Sequence, residues 1–487
     1  MRNKFSLVLV MVFLLSLLPS YTLAGPLVRI GIFNGKDSVA VGGQRAFSLV
    51  DATDGSIIAR GQHNEKLRIE YRDGQLYINS RLQKTPFFVR LDPGEESEFL
   101  TVEGRRYRGE LEIRPSVTKK GLTVIEILPL EEYLYGVIPW EISPAWPVEA
   151  VKAQAVAART YALYNAGKHA KDGFDLCNTT ECQVYGGREA EDPRGNWGVD
   201  ATRGMVATYK NKLIPTYFHS SSGGYTENIE NVWSGKNDYI RAVPDFDQNS
   251  PYFHWKLTLS KDEIDKRLAG AGYKIGSLQG IKLSPLKSGV NEAADRGVSG
   301  RVKTIVFLGS EQNVILTGND ARRLFQLNST LFDVELSEPG KDNKAAQTLV
   351  PDNKQTTVNL IKPAKESPAQ TPRGTEKKKK RKQRPATTAN TEQGPAFVAG
   401  SAISSAAAAK RDSTQNQASS LTPGVHVLSQ DSPNAVIIFA GHGSGHGLGL
   451  SQWGAKAMAE QGPKDDHTYY QQILKHYYQG VDITKWY

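Results

Sequence analysis

Cysteine is nearly absent from this 487-residue chain, which has only Cys177 and Cys182. A disulfide-rich scaffold and an iron–sulfur protein are therefore excluded, and one bridge or one shared metal site is the most the pair can form. Long apolar runs are as scarce. The one present, Phe5 to Leu18, follows the basic Met1–Lys4 and precedes the small residues of Thr22-Leu23-Ala24, the pattern of a secretory leader cut after Ala24. It is shorter than the roughly 20 apolar residues a spanning helix needs, and no cysteine stands at the cut site to take a lipid. The mature chain is thus expected outside the cytoplasm, in the periplasm or in the wall and extracellular space. An excess of charge is also missing once its source is removed. The formal charge is +9, and Arg2, Lys4 and seven of the eight residues from Lys377 to Arg384 account for all of it. A surface basic throughout, as a general nucleic-acid binder carries, is disfavoured.

The length allows two or three domains. From Pro26 to about Arg106, runs such as Leu27–Ile32 and Leu67–Tyr71 alternate apolar and polar residues, and Asp54-Gly55 and Asp73-Gly74 separate such runs as turns. Gly121–Leu128 reads as a further strand. Helices are expected over Leu130–Val137 and Val148–Asn165, the second opened by Pro147 and Glu149, with Val151, Ala155, Ala158 and Ala162 on one close-packing face. From Glu338 to Asp431 the composition turns to Ala, Thr, Gln, Pro, Ser and Lys with very few aromatics, too little apolar surface to offset chain entropy. This stretch is expected to be a disordered insert. Ala435–Phe439 again reads as a strand, and the last fifty residues are expected to return to the core built before the insert.

Three segments concentrate reactive side chains. Glu141 stands between two helices among Trp140, Ile142, Pro144 and Trp146; burial there would raise its pKa into the range of a general acid, whereas exposure would leave a loop or capping residue. The run His219-Ser220-Ser221-Ser222-Gly223-Gly224 fails the nucleophile-elbow pattern and suits sugar hydroxyls or a structural turn. In Gly441–Gly454 neither a dinucleotide nor a phosphate-loop pattern fits, and His442 and His446 lack an evident third metal ligand. Cys177 and Cys182 are open to a disulfide, a shared zinc or two free thiols.

Together these segments resemble the SpoIID/LytB family of bacterial cell-wall proteins. The resemblance runs through Tyr107–Leu111, Leu128–Val137, Ala150–Tyr161 (with Ala157-Ala158-Arg159-Thr160-Tyr161), Cys182–Tyr185 and His219–Gly224, and resumes at Gly445-His446-Gly447 through Ala455. It implies an α+β fold: a mixed catalytic domain with a substrate cleft, its first part at 107–337 and its C-terminal part at 432–487, after a leader at 1–24 and a β-rich framework at 25–106, and split by the insert at 338–431. It also implies a lytic transglycosylase acting on peptidoglycan glycan strands, preferring those stripped of stem peptides, with Glu141 as acid and then base. Arg159 would bind or orient the strand, and Tyr252, His219, Ser221 and His446 would line the cleft. Zinc-binding relatives use two Cys and two His around the Cys177–Cys182 segment; here Glu181 precedes Cys182, and His169 does not stand at the expected distance from Cys177. A cell-wall amidase is an implied partner, and the enhancer branch offers a rival reading in which the domain grips glycan without cutting it. The Lys377–Arg384 run suits anionic wall or membrane polymers, and no nucleic acid is expected.

Overall fold

The computed structural model describes residues 25–83, 86–93, 98–287, 291, 293–337, 424–428 and 435–487. The leader and most of the insert, including Lys377–Arg384, lie outside these. Helices and several sheets occur together, an α+β arrangement. Among the described residues no helix is long and apolar enough to cross a membrane.

The described chain builds two hydrophobic cores. In the first, a seven-stranded sheet runs in the order Leu176–Cys177, Leu27–Lys36, Leu122–Pro129, Glu110–Pro115, Phe87–Leu91, Phe47–Asp51, Ile57–Gly61. Leu27–Lys36 pairs antiparallel along the whole of Leu122–Pro129, so one sheet joins the stretches on either side of residue 106. A six-stranded sheet centred on Ser38–Gly43 and Lys66–Arg72 contributes Val39, Val41, Leu67 and Ile69 to the same core, as their alternation requires.

Two helices carry the next segment. Helix α1 (Leu130–Glu141) starts after Pro129 with Glu131 and Glu132 in its first turn, where the positive end of the helix favours them. It runs past Val137 and through Pro139, giving up one backbone hydrogen bond, and stops where Ser143 precedes Pro144. Helix α2 (Val148–Tyr164) is buried from Ala150 to Ala162, far more than the single face its spacing suggests. The reason is its position: α1, α3 (Pro193–Asp200), the strand Met205–Tyr209 and two C-terminal helices all pack on it. Alanine suits a helix crowded on every side because it admits close neighbours at no side-chain entropy cost.

The second core is formed by residues 255–337 together with 428–439. Its sheets are ordered His254–Ser260, Val436–His442, Phe332–Ser337 and Val314–Thr317, Thr304–Gly309, Leu278–Lys282, Val425–Val427. Helix α4 (Lys261–Gly270) opens with a capping box between Ser260 and Glu263, and α5 (Gly318–Phe325) with Thr317 accepting from the Asp320 N–H. The expected insert is therefore too long at its C-terminal end: Val425-His426-Val427 is a strand, because its β-branched residues complete the edge beside Leu278–Lys282.

Residues 448–487 then return to the first core. Leu450–Ser451 pairs with Phe218–His219, Asp482–Lys485 pairs with Met205–Tyr209, and α6 (Gln452–Gln461) and α7 (Tyr469–Tyr477) pack on α2.

Candidate active site

Glu141 is the last residue of α1 and lies partly accessible beside Trp140, which is 48% exposed. Burial pushes its carboxyl up to about 7, against a weaker opposing effect from the Val184 N–H that donates to it. Its place at the negative end of a helix acts in the same direction as burial. Tyr133 on α1 and Tyr161 on α2 both lie near enough to feel its charge.

The loop that supplies Val184 is tied down from both sides. Tyr133 donates to Gln183 Oε1 at 3.4 Å, its ring is 5.0 Å from that of Tyr185, and the Gly186 N–H bonds the Gly136 carbonyl. Just ahead of Val184 sit the two cysteines, whose thiols are both free and buried. A hydrogen bond from Cys182 draws the Cys177 thiol down to about 5, and the same bond raises Cys182. The chain folds back at Asn165–Phe174 and delivers the residue that spacing discounted. One ligand atom each from His169, Cys177 and Cys182 lie within 4.8 Å of one another. His169 Nδ1 is 3.1 Å from Asp172 Oδ2, while its Nε2 is buried with no hydrogen-bond partner among the described residues, the nearest Glu181 oxygen being 3.6 Å away. Two thiols plus an imidazole nitrogen that lacks a partner, with the opposite nitrogen held by a carboxylate, is a donor set that fits zinc.

Arg159 requires a correction. Its side chain is fully buried on α2 and cannot reach a glycan strand. Nε and Nη2 hold Glu131 at 2.8 and 2.6 Å, Nη2 also donates to the Val199 carbonyl at 3.0 Å, and Nη1 bonds the Met205 carbonyl at 3.2 Å. Burial alone would raise the Glu131 carboxyl, but Arg159, the Tyr487 hydroxyl and the Gly204 N–H together hold it below its usual value. Arg159 thus fixes α1 to α2 and to the strand that follows α3. Ser221 is corrected for the same reason: it is fully buried, and its hydroxyl donates to Asp247, which also accepts the Gly223 and Gly224 N–H groups at 2.8 Å. Ser222 donates to Asp245 at 2.5 Å, and Tyr477 does so at 2.6 Å. The hydroxyl run is therefore a buried turn built around two carboxylates.

His219 and His446 come together, ring centroids 5.4 Å apart. His219 is 5% exposed, so it supports the surface rather than forming it; Nδ1 donates to the Leu448 carbonyl at 3.1 Å, and burial keeps the ring neutral. His446 is half-buried, accepts the Leu448 N–H at Nδ1, and is held down to about 3 by burial. Two glycines permit this crossing. Gly443 takes φ +72° against the Ser221 carbonyl, and a Cβ on Gly447, at φ +80°, would lie 2.1 Å from Arg301 Nε. Tyr252, 41% exposed, stands on the surface where a ligand could meet it.

A row of rings was not visible to sequence reasoning. Tyr161 lies 6.4 Å from Tyr217, Tyr217 lies 4.6 Å from Trp233, and Trp233 lies 4.9 Å from His446. Aromatic residues scattered over seventy positions of sequence have no periodicity that would mark them as one cluster, of which Tyr161 is the buried end.

This is a two-core α+β protein with an elevated carboxyl at a helix end, near a two-cysteine, one-histidine cluster. The Stage II sporulation protein (SpoIID) family profile matches residues 118–209, which include Glu141 and that cluster. Over 391 residues the chain is 30% identical to an uncharacterised protein of Brachyspira hyodysenteriae, covering 80% of this chain and 75% of the relative. It is 29% identical to the amidase enhancer of Bacillus subtilis over 80% of this chain and 46% of that protein, so it spans less than half of that relative. It is 31% identical to the stage II sporulation protein D of Bacillus subtilis, over 43% of this chain and 61% of the relative. The chain belongs to the SpoIID family.

Proposed function

We propose that this protein is exported and acts in the cell wall as a peptidoglycan lytic transglycosylase, cutting between N-acetylmuramic acid and N-acetylglucosamine in strands stripped of stem peptides. The observation that carries this reading is the Glu141 carboxyl, pushed up to about 7 and partly accessible beside an exposed tryptophan. A carboxyl balanced near neutrality can give a proton and take one back. In the proposed reaction Glu141 protonates the glycosidic oxygen as the bond to C1 breaks. The resulting carboxylate then removes the proton of the muramyl 6-hydroxyl as that oxygen bonds to C1, giving the 1,6-anhydro product and restoring the acid. No water is consumed, and one carboxyl suffices where hydrolytic glycosidases use two.

The Val184 N–H orients Glu141, and Tyr133 holds the loop that bears it. Zinc bound by His169, Cys177 and Cys182 would supply a cross-link that stiffens the same loop. The second reading, a glycan-binding enhancer of an amidase, is favoured by the relative of that name. Mass spectrometry of peptide-free glycan strands incubated with the mature protein and with Glu141→Gln separates the two. The enzyme reading expects 1,6-anhydromuramyl fragments from the wild type alone. Intact strands with folded protein would overturn it, and amidase stimulation that survives Glu141→Gln would establish the enhancer.

A further inference from the structure

A groove of about 240 Å³ opens beside Trp233, walled on one side by the turn Ile229–Val232 of the first core and on the other by the edge of the second. Asn319 Nδ2 pins the two walls together through the Val232 carbonyl at 2.9 Å. The lining includes Trp233, 37% exposed, and Val232 and Val302, with polar groups from Asn231, Thr304, Thr317 and Asn319. Aromatic faces pack on the C–H faces of pyranose rings, and hydroxyl and amide groups match sugar hydroxyls and acetamides. The volume suits one ring.

The charges are as informative. Glu230 also lines the groove, but the Arg241 guanidinium pairs with it. Lys303 also lines the groove, and it makes no ion pair among the described residues. Ring contacts run from Trp233 through Tyr217 to the buried Tyr161, in steps of 4.6 and 6.4 Å, and Tyr161 feels the Glu141 charge.

We infer that this groove is a distal subsite for a muramoyl residue of the glycan strand being cut, with Trp233 stacked on the sugar and Lys303 paired with its lactyl carboxylate. The inference rests on the glycan reading above. That carboxylate is an amide while a stem peptide is attached and becomes an anion only when the peptide has been removed. A cation at this position therefore distinguishes stripped from unstripped strands at a sugar remote from the bond broken.

Calorimetric titration of the full chain carrying Glu141→Gln tests this with uncut ligands: alternating GlcNAc–MurNAc oligosaccharides with free lactyl carboxylates, the same oligomers as methylamides, and a disaccharide too short to reach the groove from Glu141. Trp233→Ala should weaken binding of the long free-acid oligomer roughly tenfold and leave the disaccharide unchanged. Lys303→Gln should weaken the free-acid oligomer by a similar, roughly tenfold factor, abolish its advantage over the methylamide, and leave the melting temperature unchanged. Undiminished free-acid binding by Lys303→Gln, or equal losses for long and short ligands in Trp233→Ala, would overturn the inference, as would a folded parent that binds none of the ligands. If the wild type releases no anhydro product and this binding pattern holds, the cutting reading fails while the subsite stands. Product release without the pattern removes the subsite alone.

Discussion

At the scale of single residues, Glu141 and Arg159 show opposite uses of burial. The folded-state pKa of Glu141, about 7, lies above the ordinary 4.5. Below 4.5 both states are protonated and burial carries no ionisation penalty. As pH rises from 4.5 to 7 the unfolded chain releases the proton first, so stability falls through that window and levels off above it. Glu141→Gln should therefore leave the melting temperature unchanged near pH 4 and raise it at pH 8, by a stabilisation on the order of 2 kcal/mol, as thermal denaturation across pH would show. Strand cleavage, which needs the protonated acid, should decline as pH rises through about 7, and a pH–rate profile checks this. For Arg159, replacement by Ala leaves Glu131 buried and unpaired and should cost about 3–5 kcal/mol. Substituting both partners with apolar residues should recover much of that loss in denaturant titrations, which a strand-binding role for Arg159 would not allow. The sequence placed Arg159 correctly on its helix but not in its role. Helical spacing says which face a side chain occupies, whereas the partner that makes this face interior, Glu131, comes from another helix. For Glu141 the sequence left burial and exposure both open, and in the structure burial raises its carboxyl.

At the scale of elements, the loop Cys177–Gly187 converts a local fold into chemistry. Its start carries two thiols, its middle supplies the Val184 N–H, and its end is bonded to α1. Metal analysis of the purified chain is expected to find one zinc, lost in Cys177→Ser and His169→Ala, with a lowered melting temperature in both. Removal by a chelator should reduce strand cleavage and leave the decline of the pH profile near 7 in place. His169 eluded the sequence reading because ligand spacing along the chain was measured against a pattern, while the turn at Asn165–Phe174 sets the distance in space. The strands were easier to read: alternation at Leu27–Ile32, Leu67–Tyr71 and Gly121–Leu128 is a local signal, and each lies in a sheet. Which of them pair could not be read, since Leu27–Lys36 finds its partner some ninety residues away.

For the whole molecule, the insert leaves and re-enters at neighbouring strands of the second core. Phe332–Ser337, where the described chain leaves off, packs against Val425–Val427, where it resumes. Replacing residues 338–423 with a short flexible linker should thus preserve the fold and the melting temperature, since the cost of loop closure changes only slowly with length. Cleavage of soluble strands should survive the deletion, while sedimentation with intact wall material should weaken if Lys377–Arg384 binds anionic polymers. The composition shift at Glu338 was plain in the sequence. The existence of a second core was not, because its strands are divided by the insert and resemble ordinary framework.

The return of residues 448–487 to the first core also bears on how the chain comes into being. The Tyr470 N–H bonds Glu149 and the Tyr487 hydroxyl bonds Glu131, partners made more than three hundred residues earlier. During synthesis α1 and α2 emerge with their covering helices still unmade, so the first core stays open until nearly the whole chain is available, while the strands from Leu27 to Pro129 can already pair. Pairings of such separation are slow to form. A polypeptide whose closing pieces come last remains threadable for longest, a property that would suit the export proposed above.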